Sequence, residues 1–286
     1  MSRDLLIVLG PTCVGKTDYS IGLAKFYSSP VISCDSRQIY KEMRIGTAVP
    51  SASQLAAVRH YFIQDHSIHS LYTAGKYEIE ALSLMDRLWN EGHRTLVMTG
   101  GSMFYIDAVC NGLDDMPDAD PSLREELTRR MKEEGVDSLR MDLKRLDPEA
   151  YSTIDIANPQ RVLRAVEVCL LSGRTFSSFK LSGAKPRDFT VKKIGLRRNR
   201  DELYDRIGVR VDAMMEEGLL SEAEGLYPLR HLTALQTVGY RELFSYMEGE
   251  CTLEKAVEDI KTNTRHYAKR QLTWWKRDES IEWIDL

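Results

Sequence analysis

The chain has 286 residues, 43% hydrophobic and 29% charged, with a formal net charge of −4. These values describe one large globular domain, or a core with a smaller second one. The apolar runs are strand-sized, well short of the roughly 20 residues a membrane span needs, so no membrane association is expected. Cys13, Cys34, Cys110, Cys169 and Cys251 are scattered and odd in number, without a Cys-x-x-Cys, so neither a disulfide framework nor a zinc site is indicated. A reducing, cytoplasmic compartment is expected, and because the first strand begins almost at once, no signal peptide.

In chain order, Leu5-Leu6-Ile7-Val8-Leu9 reads as a buried strand. Gly10, Pro11, Thr12, Cys13, Val14, Gly15, Lys16 and Thr17 follow it in the spacing of a phosphate-binding P-loop, and residues 16–28 read as the helix that loop should open. The glycines let backbone N–H groups approach phosphate oxygens, and the helix dipole favours the anion. Lys16 supplies a point charge, and the Thr17 hydroxyl suits a Mg²⁺ bridging the phosphates. Further strands are expected at 30–34 and 94–99, with helices at 73–91 and 102–110. Short β-rich runs between helical patterns imply a parallel sheet with crossover helices.

The texture changes near Pro117. Residues 121–134 and 137–145 read as charged helices, and Pro159 opens an amphipathic helix that Ser172-Gly173 ends. A strand returns at 190–196, so 116–189 reads as a helical insertion between two parts, 1–115 and 190–286, of one P-loop NTPase-like α/β core. Residues 200–277 are mostly helical, and 281–286 reads as a last strand. Net charge argues weakly against a nucleic-acid partner, but residues 255–277 carry seven Lys/Arg against two Asp/Glu, and 190–210 seven against three. Such local basicity suits a polyanion, or equally a solvated helix face.

Other residues carry chemistry by position. Asp35 follows the second strand, at the carboxyl end where parallel sheets bind ligands; it suits a water-mediated Mg²⁺ contact, a general base, or a turn cap. Gly100-Gly101-Ser102 follows the third strand, and Ser102 suits either donation to a phosphate oxygen or helix capping. Arg161 and Arg164, three apart on one helical face, suit a phosphate clamp or a salt bridge with Glu167. Near the end Ile260, Thr264, Tyr267, Gln271 and Trp274 share one side of a helix, beside a basic ridge of Lys261, Arg265 and Lys269. That pattern suits RNA stacking and phosphate contact, although core packing explains the tryptophans more readily.

Taken together, the segments closely resemble the bacterial tRNA dimethylallyltransferase (tRNA isopentenyltransferase) family. The resemblance rests on Gly10–Thr17, Asp35-Ser36-Arg37-Gln38-Ile39-Tyr40, Gly46-Thr47-Ala48, Gly100–Tyr105, Leu146–Ala150, Pro159–Ala165, Val238-Gly239-Tyr240 and Thr264–Trp275, in this order across nearly the whole chain. The second and last blocks are the specific ones, since single P-loops are widespread. Ser102 stands where Thr is usual, Val49 where Lys is usual, and Arg37 replaces an apolar residue.

The resemblance implies transfer of a dimethylallyl group from dimethylallyl diphosphate to N6 of the adenosine 3′ to the anticodon. Lys16, the loop amides and Thr17-bound Mg²⁺ would stabilise the departing diphosphate, Asp35 would accept the N6 proton, and Ser102 would bond the leaving oxygen. Either Arg206 or Arg210 would add a diphosphate contact. The family's tRNA contacts map onto Asp35, Ser36, Arg37, Gln38, Ser102, Arg124, Gln160, Arg161, Val162, Leu163 and Arg164, so the insertion would hold the anticodon stem-loop. A monomer is expected. The motifs shared with other P-loop proteins leave open a small-metabolite kinase, a prenyltransferase acting on free adenine nucleotides, and a non-enzymatic RNA-binding module.

Overall fold

A computed structural model describes residues 2–180 and 183–286. By internal contacts the chain forms two units, Met1–Asn111 with Pro186–Leu286, and Gly112–Lys185.

The first unit is built on a six-stranded sheet. Its strands are β1 (Asp4–Leu9), β2 (Val31–Ser33), β3 (His60–Tyr61), β4 (Thr95–Thr99), β5 (Thr190–Arg197) and β6 (Ile281–Asp285), in the order β3-β2-β4-β1-β5-β6. Every pairing is parallel. Both faces of the central strand are covered, which is why β1 reads as an unbroken apolar run over Leu5–Leu9. Leu5, Ile7 and Leu9 of β1 enter one core cluster with Ile32, Leu96 and Met98, while Val8 faces the opposite cluster with Val14, Leu196 and Ile207.

Helices of this unit are α1 (Lys16–Phe26), α2 (Ala52–Ala57), α3 (Ala74–Asn90) and α4 (Met103–Asn111). In the second unit come α5 (Pro121–Glu133), α6 (Val136–Leu146), α7 (Pro148–Thr153) and α8 (Pro159–Ser172). The first unit resumes with α9 (Arg200–Glu216), α10 (Leu219–Leu226), α11 (Tyr240–Met247) and α12 (Leu253–Trp275). The strand and helix expectations hold with small end shifts; the helix expected over 16–28 stops at Phe26, and Ser28 turns to a φ of 49°. The short elements α2, β3 and α7 carry too few residues to show a period, and the sequence reading did not include them.

The second unit has its own core, in which Leu127, Leu139, Leu143, Val162, Leu163 and Val166 are buried together. Asn158 caps α8 by accepting from Gln160 N and Arg161 N, and Gly173 ends it in the left-handed region at φ 65°.

For the site, the decisive feature is that β1, β2 and β4 are adjacent and parallel, so Gly10, Cys34-Asp35 and Gly100 leave the same edge of the sheet. Gly10 is confined there: its φ is 145°, and an added Cβ would stand 2.5 Å from the Leu196 carbonyl oxygen of neighbouring β5. Gly10→Ala is therefore expected to destabilise the protein by about 1–3 kcal/mol, the usual cost of a strained backbone position. The urea midpoint measures this, and an unchanged midpoint would show that β5 yields freely.

Candidate active site

The loop from Gly10 to Thr17 joins β1 to α1, and its carbonyls are tied from outside. Arg206 Nε of α9 donates to Cys13 O at 2.9 Å, and Arg198 Nε donates to Val14 O at 2.9 Å. Carbonyls satisfied in this way leave loop amides to face the cradle. No side chain caps α1 at Gly15, so its first amides also remain for an anion. Lys16 Nζ lies across the loop, donating to Gly10 O at 2.8 Å and Pro11 O at 2.9 Å. Burial lowers its pKa to about 8, partly offset by the Asp35 carboxylate.

Asp35 takes the turn-closing role its position suggested and keeps one oxygen unbonded. Its Oδ1 accepts from Arg37 N at 2.8 Å and Gln38 N at 3.2 Å, which closes the turn after β2. Its Oδ2 makes no hydrogen bond among the described residues, and Asp35 lines both a cleft of about 400 Å³ and a small recess of about 50 Å³. The recess also holds Lys16 and Thr17. Ser102 is buried, and its Oγ accepts from Ser36 N at 2.8 Å, so the side chain braces the Asp35 turn rather than capping α4. Its hydroxyl proton remains available to an acceptor. Beside Asp35, the fully buried Cys34 thiol is pushed well up by burial and by the Asp35 charge, and stays unreactive.

The larger cleft has a polar mouth and an apolar floor. Asp35 is the one carboxylate lining it, against Arg37, Arg210, Arg241 and Arg270. Ile207, Val211 and Met214 of α9, with Leu219, Val238 and Ile260, supply the apolar part. Arg206 and Arg210, indistinguishable from sequence, divide their work: Arg206 is committed to Cys13 O, while Arg210 faces the cleft and its charge acts on Lys16.

Gln38 has both amide hydrogens engaged, to Thr47 O at 3.1 Å and Ala48 O at 2.8 Å, so only its Oε1 is left to read a ligand. The preceding backbone is held by Glu222, whose carboxylate accepts from Arg44 N, Ile45 N and Gly46 N at 2.9–3.1 Å and from Tyr240 Oη at 2.6 Å. Glu222 thus joins the Gly46-Thr47-Ala48 and Val238-Gly239-Tyr240 blocks. Nothing local in the sequence marks it, because its backbone partners lie 176 to 178 residues away.

On the C-terminal helix the tryptophans pack in the core, the reading the sequence favoured for them. Ile260, Thr264 and Tyr267 do share a face, and that face lines the cleft. Trp274 instead packs against α4, its Nε1 donating to Asp107 at 3.0 Å, and Trp275 is buried. Lys261 is paired with Asp212 at 2.7 Å, so the basic ridge is partly neutralised.

In the second unit Arg124 and Arg164 take the salt-bridge alternative. Arg124 and Arg164 both bond the fully buried Glu167, at 2.9 Å and 2.6 Å, and Arg164 also donates to Pro117 O at 2.7 Å. Burial pushes Glu167 up, but the hydrogen bonds from Arg124 and Arg164 outweigh it and hold the carboxyl below its ordinary value. Val162 and Leu163 are core residues of the same unit. Of that stretch only Gln160 and Arg161 stand exposed without an ion-pair partner among the described residues.

No cluster of three or more His, Cys, Asp or Glu suited to a metal occurs among the described residues, and no helix is long and apolar enough to cross a membrane.

A sequence profile described as IPP transferase matches residues 38–278. A protein of Phocaeicola vulgatus named tRNA dimethylallyltransferase 1 is 47% identical over 284 residues, covering 99% of this chain and 94% of its own. One of Porphyromonas gingivalis named tRNA dimethylallyltransferase 2 is 50% identical over 282 residues, with the same coverages. The solved full-length tRNA isopentenylpyrophosphate transferase of Bacillus halodurans superposes with a TM-score of 0.72 at 37% identity, over 99% of this chain and 90% of that one. A eukaryotic dimethylallyltransferase acting on tRNA shares the fold, with a TM-score of 0.81 at 24% identity over 99% of this chain and 74% of that one.

Lys16 carries its charge below a pH of about 8 and loses it above, earlier than an ordinary lysine at 10.5. Affinity for inorganic diphosphate should therefore fall as pH rises through about 8 in the wild type but not in Lys16→Arg, whose guanidinium stays charged. Calorimetric titration of both proteins from neutral to alkaline pH checks this; parallel curves would remove Lys16 from the cradle.

Proposed function

This chain belongs to the IPP transferase family, and we propose that it transfers a dimethylallyl group from dimethylallyl diphosphate to N6 of the adenosine 3′-adjacent to the anticodon in tRNA, releasing diphosphate. The observation that carries the reading is the cleft itself: a carboxylate with one free oxygen, set between a phosphate loop and an apolar slot. A kinase would need the loop and Asp35 but would have no use for the slot.

The loop amides, Lys16 and Arg210 hold the diphosphate, and Ile207, Val211 and Met214 take the five-carbon tail. The adenine amine is a weak nucleophile because its lone pair is delocalised into the ring. As that pair forms a bond to the terminal prenyl carbon, the carbon–oxygen bond breaks and its electrons leave on the diphosphate. The N6 proton passes to Asp35 Oδ2, whose partner oxygen is fixed by the turn amides. Lys16 and Arg210 offset the charge that grows on the leaving group, and the Ser102 hydroxyl hydrogen is directed to its bridging oxygen.

The Thr17 hydroxyl, a hard oxygen in the recess it shares with Lys16, would hold a Mg²⁺ bound with the diphosphate. Bound there, the ion would supply further neutralisation of the diphosphate.

The adenosine must leave the stack of its loop to reach Asp35. Arg37, Ser36 and the Gln38 Oε1 are available to the RNA at the cleft mouth, while Gln160 and Arg161 serve it from the second unit. The protein acts as a monomer in the cytoplasm.

The test is incubation with dimethylallyl diphosphate, Mg²⁺ and either unmodified tRNA or AMP, with N6-prenyladenosine detected by mass; product from AMP alone, or none from tRNA, sinks the reading. Asp35→Ala should slow turnover by at least about 100-fold, the lower end of general-base contributions, while sparing tRNA affinity. Arg161→Ala should do the opposite, raising the apparent tRNA KM several-fold with little change in kcat.

A further inference from the structure

Gln271 is fully buried on α12, and it touches the site at two places that are far apart in sequence. Its Oε1 accepts from Thr12 N in the phosphate loop at 2.9 Å, and its Nε2 donates to Gly101 O at 2.8 Å. Tyr267, one turn earlier, donates to the same Gly101 oxygen at 3.2 Å. Beyond Gly101 the path continues through Ser102, whose Oγ holds Ser36 N at 2.8 Å, beside Asp35. Among the described residues no other side chain hydrogen-bonds both the loop and the Gly100–Ser102 turn.

A carboxamide suits this place because it offers an acceptor and a donor on neighbouring atoms without charge. A carboxylate would face the Gly101 carbonyl with no donor and would bring negative charge to a cradle built for an anion. The fit is close, since a Cβ on Gly101 would stand 2.6 Å from Gln271 Nε2. A glutamine that served only to seat α12 would have no need to join these two loops.

We propose that Gln271 is a positioning residue for the transfer: by tying Thr12 to Gly101 it sets the separation between the departing diphosphate and the carboxylate that takes the N6 proton. The proposal rests on the function proposed above. Donor and acceptor are carried by different loops, and a displacement of about 1 Å between reacting groups is enough to cost on the order of 100-fold in rate.

The experiment compares wild type, Gln271→Met, Gln271→Glu, Gly101→Ala and the double variant Gln271→Met/Gly101→Ala, each first checked for a cooperative melt. Gln271→Met keeps the volume and loses both bonds; its kcat should fall on the order of 100-fold while the apparent KM for tRNA barely moves. Gln271→Glu should lose kcat and in addition raise the KM for dimethylallyl diphosphate. Because Gly101→Ala breaks the same link from the other side, the double variant should be no slower than the slower single one.

A melt lowered with kcat per folded molecule unchanged would reduce Gln271 to a packing residue, and effects that multiply in the double variant would equally overturn the proposal. Should Gln271→Met fail to fold, a wild-type kcat in Gln271→Glu overturns it and a reduced one supports it. If wild type itself forms no prenyladenosine, the proposed function fails and takes this inference with it; wild-type turnover with unimpaired variants removes the role of Gln271 alone.

Discussion

The site depends on how the carbonyls of the Gly10–Thr17 loop are satisfied. A peptide group has two ends, and a loop presents its N–H groups to an anion only if its oxygens are bound elsewhere. Arg206 and Arg198 do this from α9 and its leading turn, at Cys13 O and Val14 O. The cost is visible at Cys13, which sits at φ 65° without being glycine and is held there by its surroundings. The helix that braces the loop also lines the cleft, with Arg210 at the mouth and Ile207, Val211 and Met214 below. The loop and the apolar part of the cleft thus rest on one element.

A similar economy governs the acceptor side. Asp35 uses one carboxylate oxygen to hold its own turn and keeps the other free, so the proposed base is already oriented. Glu222 gathers three successive backbone N–H groups and a tyrosine hydroxyl, which makes residues 44–46 a firm support for the Thr47 and Ala48 carbonyls that Gln38 grips. Charged side chains in this protein often act as backbone clamps. The same holds in the second unit, where Arg124 and Arg164 neutralise buried Glu167. A buried carboxylate that loses its partners is costly, so those arginines are needed where they stand.

Much of this was legible in the chain. The unbroken apolar run Leu5–Leu9, the spacing from Gly10 to Thr17, and the carboxylate after the second strand are short-range patterns. They follow from sterics and side-chain direction within a few residues, and they sufficed for the parallel α/β core, the phosphate loop and Asp35. The resemblance carried by the Asp35–Tyr40 and Thr264–Trp275 blocks then narrowed the chemistry.

What the chain alone left undecided is which of several chemically equal residues meets a ligand. Arg206 and Arg210 lie four apart on one helix and look alike in sequence, yet one holds Cys13 O and the other faces the cleft. Arg161 and Arg164 differ only because Glu167 and Pro117 O stand within reach of the second. Gln271 finds its partners 259 and 170 residues away, and Glu222 its backbone partners 176 to 178 away. Local patterning determined the elements and the kind of ligand, because those depend on neighbours along the backbone. Tertiary structure decided the assignment of individual side chains, because a hydrogen bond is satisfied by whatever the fold brings within 3 Å, and that partner leaves no trace at the residue's own position.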